Sequence, residues 1–441
     1  MGKSKGRTIE EPRREIEVRD DVDIVVCGGG SAGMAAALAA ARAGMKVILV
    51  ERHGFLGGAA TAAGVNGLGG WHYDVDGKPL IRGIPMEIMR RLAGNGGAIR
   101  EWVNRLNKPE ISREGLPYIF YGIGCYWIHT HPEHMKLAMD EMMQEANVGL
   151  LYHCLAVLPI MEGKDVRGVI VESKSGRQAI LAKVVVDCTG DGDVAARAGA
   201  TVEKGDEQIG RNRHFLGIGM TDITALARKR GEWDIPRERI SFISTMRDDE
   251  VAVNMTRVPD VDAVDSLSLS AAELTARAQI NQVVSLLRKY VPGFERARLN
   301  ASSPKIGIRE TRRIIGDYVL TGEDVLEGRR FADEVLLAGY FVDIHHPDRE
   351  GCTNIKPKGA YGIPYRCLVP LGVDNLLVAG RCLSAIHEGQ AAARVMVTCM
   401  AMGEAAGCAA AMACQQNVTP RELNVGQLRE RLIEQGAVLS I

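Results

Sequence analysis

Residues 23–51 read DIVVCGGGSAGMAAALAAARAGMKVILVE, and the order of residue types along them decides the fold. DIVVC is a short, unbroken apolar run, as expected of a strand buried on both faces. It ends in a glycine run, after which nearly every position up to Arg42 carries a good helix former. KVILVE then supplies a second buried strand and completes a βαβ unit of about 30 residues. In the turn, Gly28-x-Gly30-x-x-Gly33 has the spacing and the strand-to-helix setting of a dinucleotide fingerprint. Gly28 permits the tight turn, Gly30 lets a pyrophosphate approach the backbone, and Gly33 lets helix and strand pack closely. The first helical turn, with Ser31 and Ala32, offers unpaired N–H groups to phosphates, and the Ser31 hydroxyl can add another donor. Glu51 closes the second strand, where a carboxylate can accept hydrogen bonds from both hydroxyls of an adenosine ribose and would repel a 2′-phosphate.

NAD and FAD share this fingerprint, so the choice between them falls to other segments. After Glu51 come Arg52 and then Gly57, Gly58, Ala59 and Thr61, a glycine pair that lets backbone lie along a cofactor arm. VVVDCTGDGD, residues 184–193, sets Thr189, Gly190 and Asp191 at a second glycine turn, and NLLVAGR, residues 375–381, sets Gly380 and Arg381 at a third. Gly190-x-Gly192-x-x-Ala195 imitates a second fingerprint. The AARAGA that follows is too short for another helix and strand, so a separate NAD(P)H domain is not expected.

Five stretches together carry a family resemblance: LVERHGFLGGAAT (49–61), VVDCTGDGDVAARAGA (185–200), GIRETRRIIGDYVLTGEDV (307–325), DIHHP (343–347) and the run from IPYRCL to GEAAG (363–407). Over about half the chain they resemble the FAD-dependent oxidoreductases of the glutathione-reductase-like flavoprotein superfamily, in its FAD-dependent dehydrogenase branch. The resemblance implies an α/β chain with a Rossmann-like FAD-binding domain, a β-meander and a discontinuous α+β substrate or cap domain. It also implies that residues 154–157, including Ala156, lie beside adenine and that Gly380-Arg381 lies beside the ribityl chain. Many relatives have Gly-Asp there. Arg381 can only donate hydrogen bonds, which changes the contacts a ribityl hydroxyl can make.

The expected organisation is a charged tail over 1–20, an FAD-binding domain over 21–61, 140–204 and 365–441, and a substrate or cap domain over 62–139 and 205–364. Residues 135–146, MKLAMDEMMQEA, have helical spacing, and the runs that follow to residue 187 read as a meander ending in a return strand. Val395 to Cys414 is apolar but rich in Gly and Ala and interrupted by Glu404, which reads as a buried helix rather than a membrane span.

Candidate reacting groups are those able to move a substrate proton or bind an anionic oxygen. His387 follows the third glycine turn at the start of a helix, and Arg394 lies two helical turns further on, able to share its face. Arg309 can grip a carboxylate with two parallel hydrogen bonds, or form an ion pair with Glu310 or Asp317; Arg312 and Arg313 offer the same chemistry at other phases. Of the pair His345-His346, His345 is preferred. Trp71, His72, Tyr126 and Trp127 are candidate pocket walls. His129-x-His131-x-x-His134 resembles a metal comb, but Pro132 suits a helix start that Thr130 or His131 could cap, so no metal is assigned.

The 441 residues are 46% hydrophobic and 25% charged, ordinary values that exclude a disordered or collagen-like chain. With 54 basic and 55 acidic residues there is no overall field favouring nucleic acid or an anionic membrane. The ten cysteines form no CxxC, which favours reduced thiols and the cytoplasm over a disulfide framework. The first twenty residues contain no apolar signal segment, and Gly6 stands where a myristoylation motif needs Ser or Thr. No GxSxG elbow points to a hydrolase. The expected function is therefore a dehydrogenase or oxidase transferring hydride between a small organic substrate and non-covalent FAD. A separate acceptor (oxygen, quinone or protein) would discharge the flavin, with neither nucleic acid nor a membrane span involved and a homo-oligomer left open. The alternative is a flavin-bearing electron-transfer or nucleic-acid-modifying subunit of a larger complex.

Overall fold

The computed structural model describes residues 8–72, 78–106, 125–204, 208–210, 217–247, 249–345 and 352–440. Its main sheet contains seven strands: β1 (Glu17–Cys27), β2 (Val47–Val50), β3 (Gly149–Leu151), β4 (Leu155–Glu162), β5 (Asp165–Ser173), β6 (Gly176–Asp187) and β7 (Leu376–Val378). Strands β3, β2, β1, β6 and β7 run parallel in that order, as βαβ crossovers require. The antiparallel meander β4–β5–β6 is continuous with them because β6 is long: Gly176 to Leu181 pair with β5, and Val185 to Asp187 pair with β7.

The charged tail is shorter than expected. Residues 17–20 belong to β1, with Glu17 opposite Gln178 and Asp20 opposite Ile180. Side chains on this extension largely face water, so its charges cost little, whereas Ile24 to Cys27 are fully buried between layers.

Helix α1 (Ser31–Arg42) covers one face of the sheet. The other helices used below are α2 (Ile84–Gly94), α3 (Pro132–Glu145), α4 (Ser266–Tyr290), α5 (His387–Ala393) and α6 (Met396–Gln416). Helix α6 is long and apolar enough to cross a membrane, but nearly all of it is buried in the fold, as a core helix. It touches α1 through backbone. A Cβ on Gly403 would stand 2.0 Å from the Ala32 carbonyl oxygen, and one on Gly407 would stand 2.2 Å from that of Ala36. Glycines one turn apart are what let two helices meet this closely.

The cores divide the chain differently from the expected boundaries. Leu80 to Val103, including α2, and Met135 to Met143 of α3 share one apolar cluster with α1 and α6, and so do Leu320 to Leu337 and Tyr361 to Leu368. A separate small core, around Trp233, Ile240, Met255, Val283 and Leu287, is confined to the middle of the second insertion and is backed by α4. The two insertions touch where Lys305 N donates to Ala62 O at 3.0 Å and where Gly339 lies against His72.

Helix α2 begins at Gly83 without a side-chain cap of its own; Glu404, on α6, accepts from Ile84 N at 3.1 Å instead. Burial pushes the Glu404 carboxyl up to about 8, partly offset by the Ile84 hydrogen bond. A group whose folded-state pKa is raised loses stabilisation as pH climbs from its unfolded value to its folded one. Thermal unfolding of the native protein should therefore fall in midpoint between about pH 5 and pH 8. Glu404→Gln keeps the acceptor without the titration, so its melting temperature should be flatter over that range and higher at pH 8.

Candidate functional site

One cleft runs along the C-terminal ends of β1, β2, β6 and β7, the place where parallel α/β sheets bind ligands. Of the candidate binding residues, Gly28, Gly30, Ser31, Ala32, Glu51, Arg52, Gly58, Ala59, Ala156, Thr189, Gly190, Gly380 and Arg381 line it, together with Arg309 and Arg394. Gly33, Gly57, Thr61 and Asp191 stand behind the wall. A Cβ on Gly33 would collide with the Gly28 carbonyl oxygen at 1.8 Å, so this glycine serves the strand–helix contact. Thr61 Oγ1 donates to Leu56 O at 2.6 Å and holds the Gly57–Gly58 turn, where both glycines have positive φ.

At the nucleotide end, α1 starts at Gly30 with no side-chain cap, leaving its first-turn N–H groups facing the cleft. Ser31 Oγ is buried there without a hydrogen-bond partner. Glu51 is more occupied than the sequence suggests: Oε2 accepts from Gly29 N at 2.6 Å and Oε1 from His53 N at 2.8 Å. Each carboxylate oxygen has further lone-pair capacity, so the carboxylate organises the turn and can still accept from a ligand.

Asp187 is a residue the sequence reading did not single out. Fully buried at the end of β6, it accepts from Thr189 N and Oγ1 on one oxygen and from Val194 N and Ala195 N on the other, at 2.7–3.0 Å. Burial raises its pKa and these hydrogen bonds oppose the rise. It shapes the second glycine turn. An acidic residue closing an apolar strand just before TGDGD was the available signal.

Arg381 is braced by partners within the wall. Its guanidinium donates to Asp191 Oδ1 at 2.6 Å and to Thr311 Oγ1 at 3.1 Å. Burial alone would raise the Asp191 pKa, but Arg381 and Thr311 outweigh it and the carboxyl is held below its usual range.

At the other end, Arg309 donates to Asp343 Oδ2 at 3.0 Å, and Arg394 donates to Asp343 O at 3.2 Å and Oδ2 at 3.4 Å. Asp343, rather than Glu310 or Asp317, is thus the ion-pair partner of Arg309. Burial, and then the neighbouring Arg394, push Arg309 down to about 10.

His387 lies off the cleft. Its Nδ1 is 2.5 Å from Glu310 Oε2, and Glu310 also pairs with Arg313, which reaches Glu203 at 2.9 Å. Helix α5 ends at Ala393; His387 turns to Glu310 and Arg394 to Asp343, and of the two only Arg394 lines the cleft. Arg312 is likewise structural, donating to Asp191 O at 2.8 Å. The His345 side chain, His346, and the side chains of Tyr126 and Trp127 lie outside the described residues. Trp71 and His72 are buried away from the cleft; His72 bonds Gly70 O at 2.9 Å and meets Tyr340 edge-on. Neither Thr130 nor His131 caps α3: Thr130 Oγ1 donates to Asn66 O, and His131 packs edge-on against His134. Lys305, His53, Met396 and Cys399 also line the cleft and carried no sequence signal.

A family model described as FAD dependent oxidoreductase matches residues 23–432. Urocanate reductase of Eggerthella lenta is 45% identical over 60 residues, which is 14% of this chain and 10% of that protein, so the match spans about a tenth of that relative. Among solved structures, GidA of Aquifex aeolicus is similar at 15% identity, covering 94% of this chain and 67% of that one, with a TM-score of 0.48. A triple mutant of the flavin-dependent brominase Bmp2 matches at 13%, 94%, 84% and 0.47 by the same measures. A geranylgeranyl bacteriochlorophyll reductase-like protein from Thermoplasma acidophilum matches at 13%, 94%, 84% and 0.44.

The His387–Glu310 pair yields a pH test. The hydrogen bond to Glu310 raises the His387 pKa against the opposing effect of burial. Its stabilisation is therefore fully present below the ordinary histidine value and is lost as pH rises through the raised value. His387→Ala should lower the unfolding midpoint clearly near pH 6 and much less near pH 9, read by thermal denaturation in matched buffers. Equal losses at both pH values would mean that packing, not the ion pair, is what the imidazole supplies.

Proposed function

Because the chain belongs to the FAD dependent oxidoreductase family, we propose that it performs two-electron oxidation or reduction at a C–H bond of a small organic substrate bearing a carboxylate or comparable anionic oxygen. Its cofactor is FAD. The residues present suit that group: a Cβ on Gly30 would fill the groove beside Gly58, Ser31 Oγ is an unpartnered donor, and the uncapped start of α1 attracts phosphate. Ser31, Ala32 and the Gly30 backbone would hold the diphosphate, Glu51 the adenosine ribose, and Gly380 the ribityl side, with the cofactor non-covalently bound.

The observation that carries the substrate class is the convergence of Arg309 and Arg394 on the single carboxylate of Asp343, at the cleft end remote from Glu51. When bound, FAD supplies the two-electron acceptor or donor. Arg309 and Arg394 orient the substrate: a guanidinium has planar geometry matched to a carboxylate, and Asp343 fixes both side chains before substrate arrives. Met396 and Ile308 give the walls an apolar surface that strengthens this charge recognition by excluding water. A separate electron acceptor would complete turnover.

Acid precipitation should release FAD from the purified protein. Anaerobic mixing with a panel of hydroxy acids, saturated acids and simple alcohols, followed by flavin absorbance, should bleach the cofactor with a carboxylate-bearing member. For that substrate, Arg309→Lys and Arg394→Lys should each raise apparent KM by about 10-fold or more through loss of bidentate geometry, with FAD content unchanged. Bleaching by a neutral substrate with both variants unaltered would refute the anionic-substrate reading.

A further inference from the structure

We infer that Lys305, carried by the second insertion, binds the diphosphate of the cofactor and closes over it from the side opposite α1. This rests on the FAD reading and adds a residue from outside the nucleotide-binding βαβ unit. Lys305 lines the same cleft as Gly28, Gly30, Ser31 and Arg52. Its backbone is docked: Lys305 N donates to Ala62 O at 3.0 Å, Ser303 packs against Gly64, and Gly307 faces Ala63. The 303–307 segment therefore lies along the end of the Gly57–Thr61 turn. From there the chain continues to Arg309, so one non-helical stretch brings two cations to the cleft.

The charges around the ammonium call for an anion. Arg52 and Arg381 repel it, while Asp191 and Glu51 attract it, and His53 is a further titratable neighbour. Both carboxylates are already engaged: Asp191 by Arg381 and Thr311, Glu51 by the amides of Gly29 and His53. Among the described residues, Lys305 forms no ion pair. Its side chain is partly open to water because it faces the cleft, yet surrounding protein, and then Arg52 and Arg381, push its pKa down to about 8. A cation held among cations is unfavourable until a multiply charged anion arrives, and a diphosphate at the start of α1 is the anion this end of the cleft is shaped to take. A carboxylate substrate fits the Arg309–Arg394 end instead.

The test uses apoprotein prepared by acid release of FAD, with wild type, Lys305→Met and Lys305→Arg titrated with FAD, ADP and adenosine. Lys305→Met should weaken FAD and ADP by about 10- to 100-fold, the scale of a charge-assisted hydrogen bond, and leave adenosine unchanged, while Lys305→Arg retains most affinity. Binding should also raise the Lys305 pKa. At pH 8, calorimetry in buffers of different ionisation enthalpy should therefore show wild type taking up as much as about half a proton per FAD, and neither variant doing so. Lys305→Met binding FAD and ADP like wild type, or weakening adenosine equally, would overturn the assignment. Wild type that binds no FAD at all would instead overturn the cofactor reading and this inference with it.

Discussion

Backbone contact between α1 and α6 is the constraint on which the site depends. Because Gly403 and Gly407 let α6 lie directly on the carbonyls of Ala32 and Ala36, the chain preceding α6 is drawn against the fingerprint turn. A Cβ on Gly380 would stand only 3.1 Å from that of Ala32, so the third glycine turn lies close against α1, and Arg394, Met396 and Cys399 reach the same cleft as Gly28 and Ser31. A Cβ at either glycine would collide with backbone of α1 and force the helices apart, moving the third glycine turn away from the first. Residues more than 350 positions apart thus form one wall, and it is the absence of side chains that brings them together.

Within that wall the charges are arranged by degree of prior commitment. Arg381 is bound to Asp191 and Thr311, so it cross-braces the second and third glycine turns. Arg309 and Arg394 share Asp343. Arg381 therefore ties segments of the wall to each other, and the two arginines that share Asp343 line the same cleft.

The parts of this structure legible in the sequence were those written locally. The βαβ unit, its glycines, Glu51 and the meander follow from spacing within a few tens of residues, and the backbone adopts them as read. The domain boundaries were less legible because a change in composition is not a change of core: 62–139 lacks the βαβ alternation, yet Ile84, Met86, Ile88 and Met89 continue the apolar cluster of α1. Ion-pair partners were least legible. Glu310 and Asp317 were the ion-pair partners that proximity in sequence offered Arg309, but adjacent side chains in a non-helical stretch diverge, and Glu310 meets His387 and Arg313 while Arg309 meets Asp343, 34 residues away. His387, a candidate reacting group in the sequence, pairs with Glu310 and is not among the residues lining the cleft.

Arg381 is explained by what lies across from it, the buried carboxylate of Asp191, 2.6 Å from its guanidinium. Without a cation there, Asp191 would be buried with its charge less fully compensated. With arginine at 381, Asp191 is instead kept below its usual carboxylate range and also accepts from Thr311. The arginine thus holds the second and third glycine turns together. Gly380, on the third of these turns, is held close to the first by the same helix contact that closes the wall, a Cβ there standing 3.1 Å from that of Ala32, which gives this part of the cleft a defined shape.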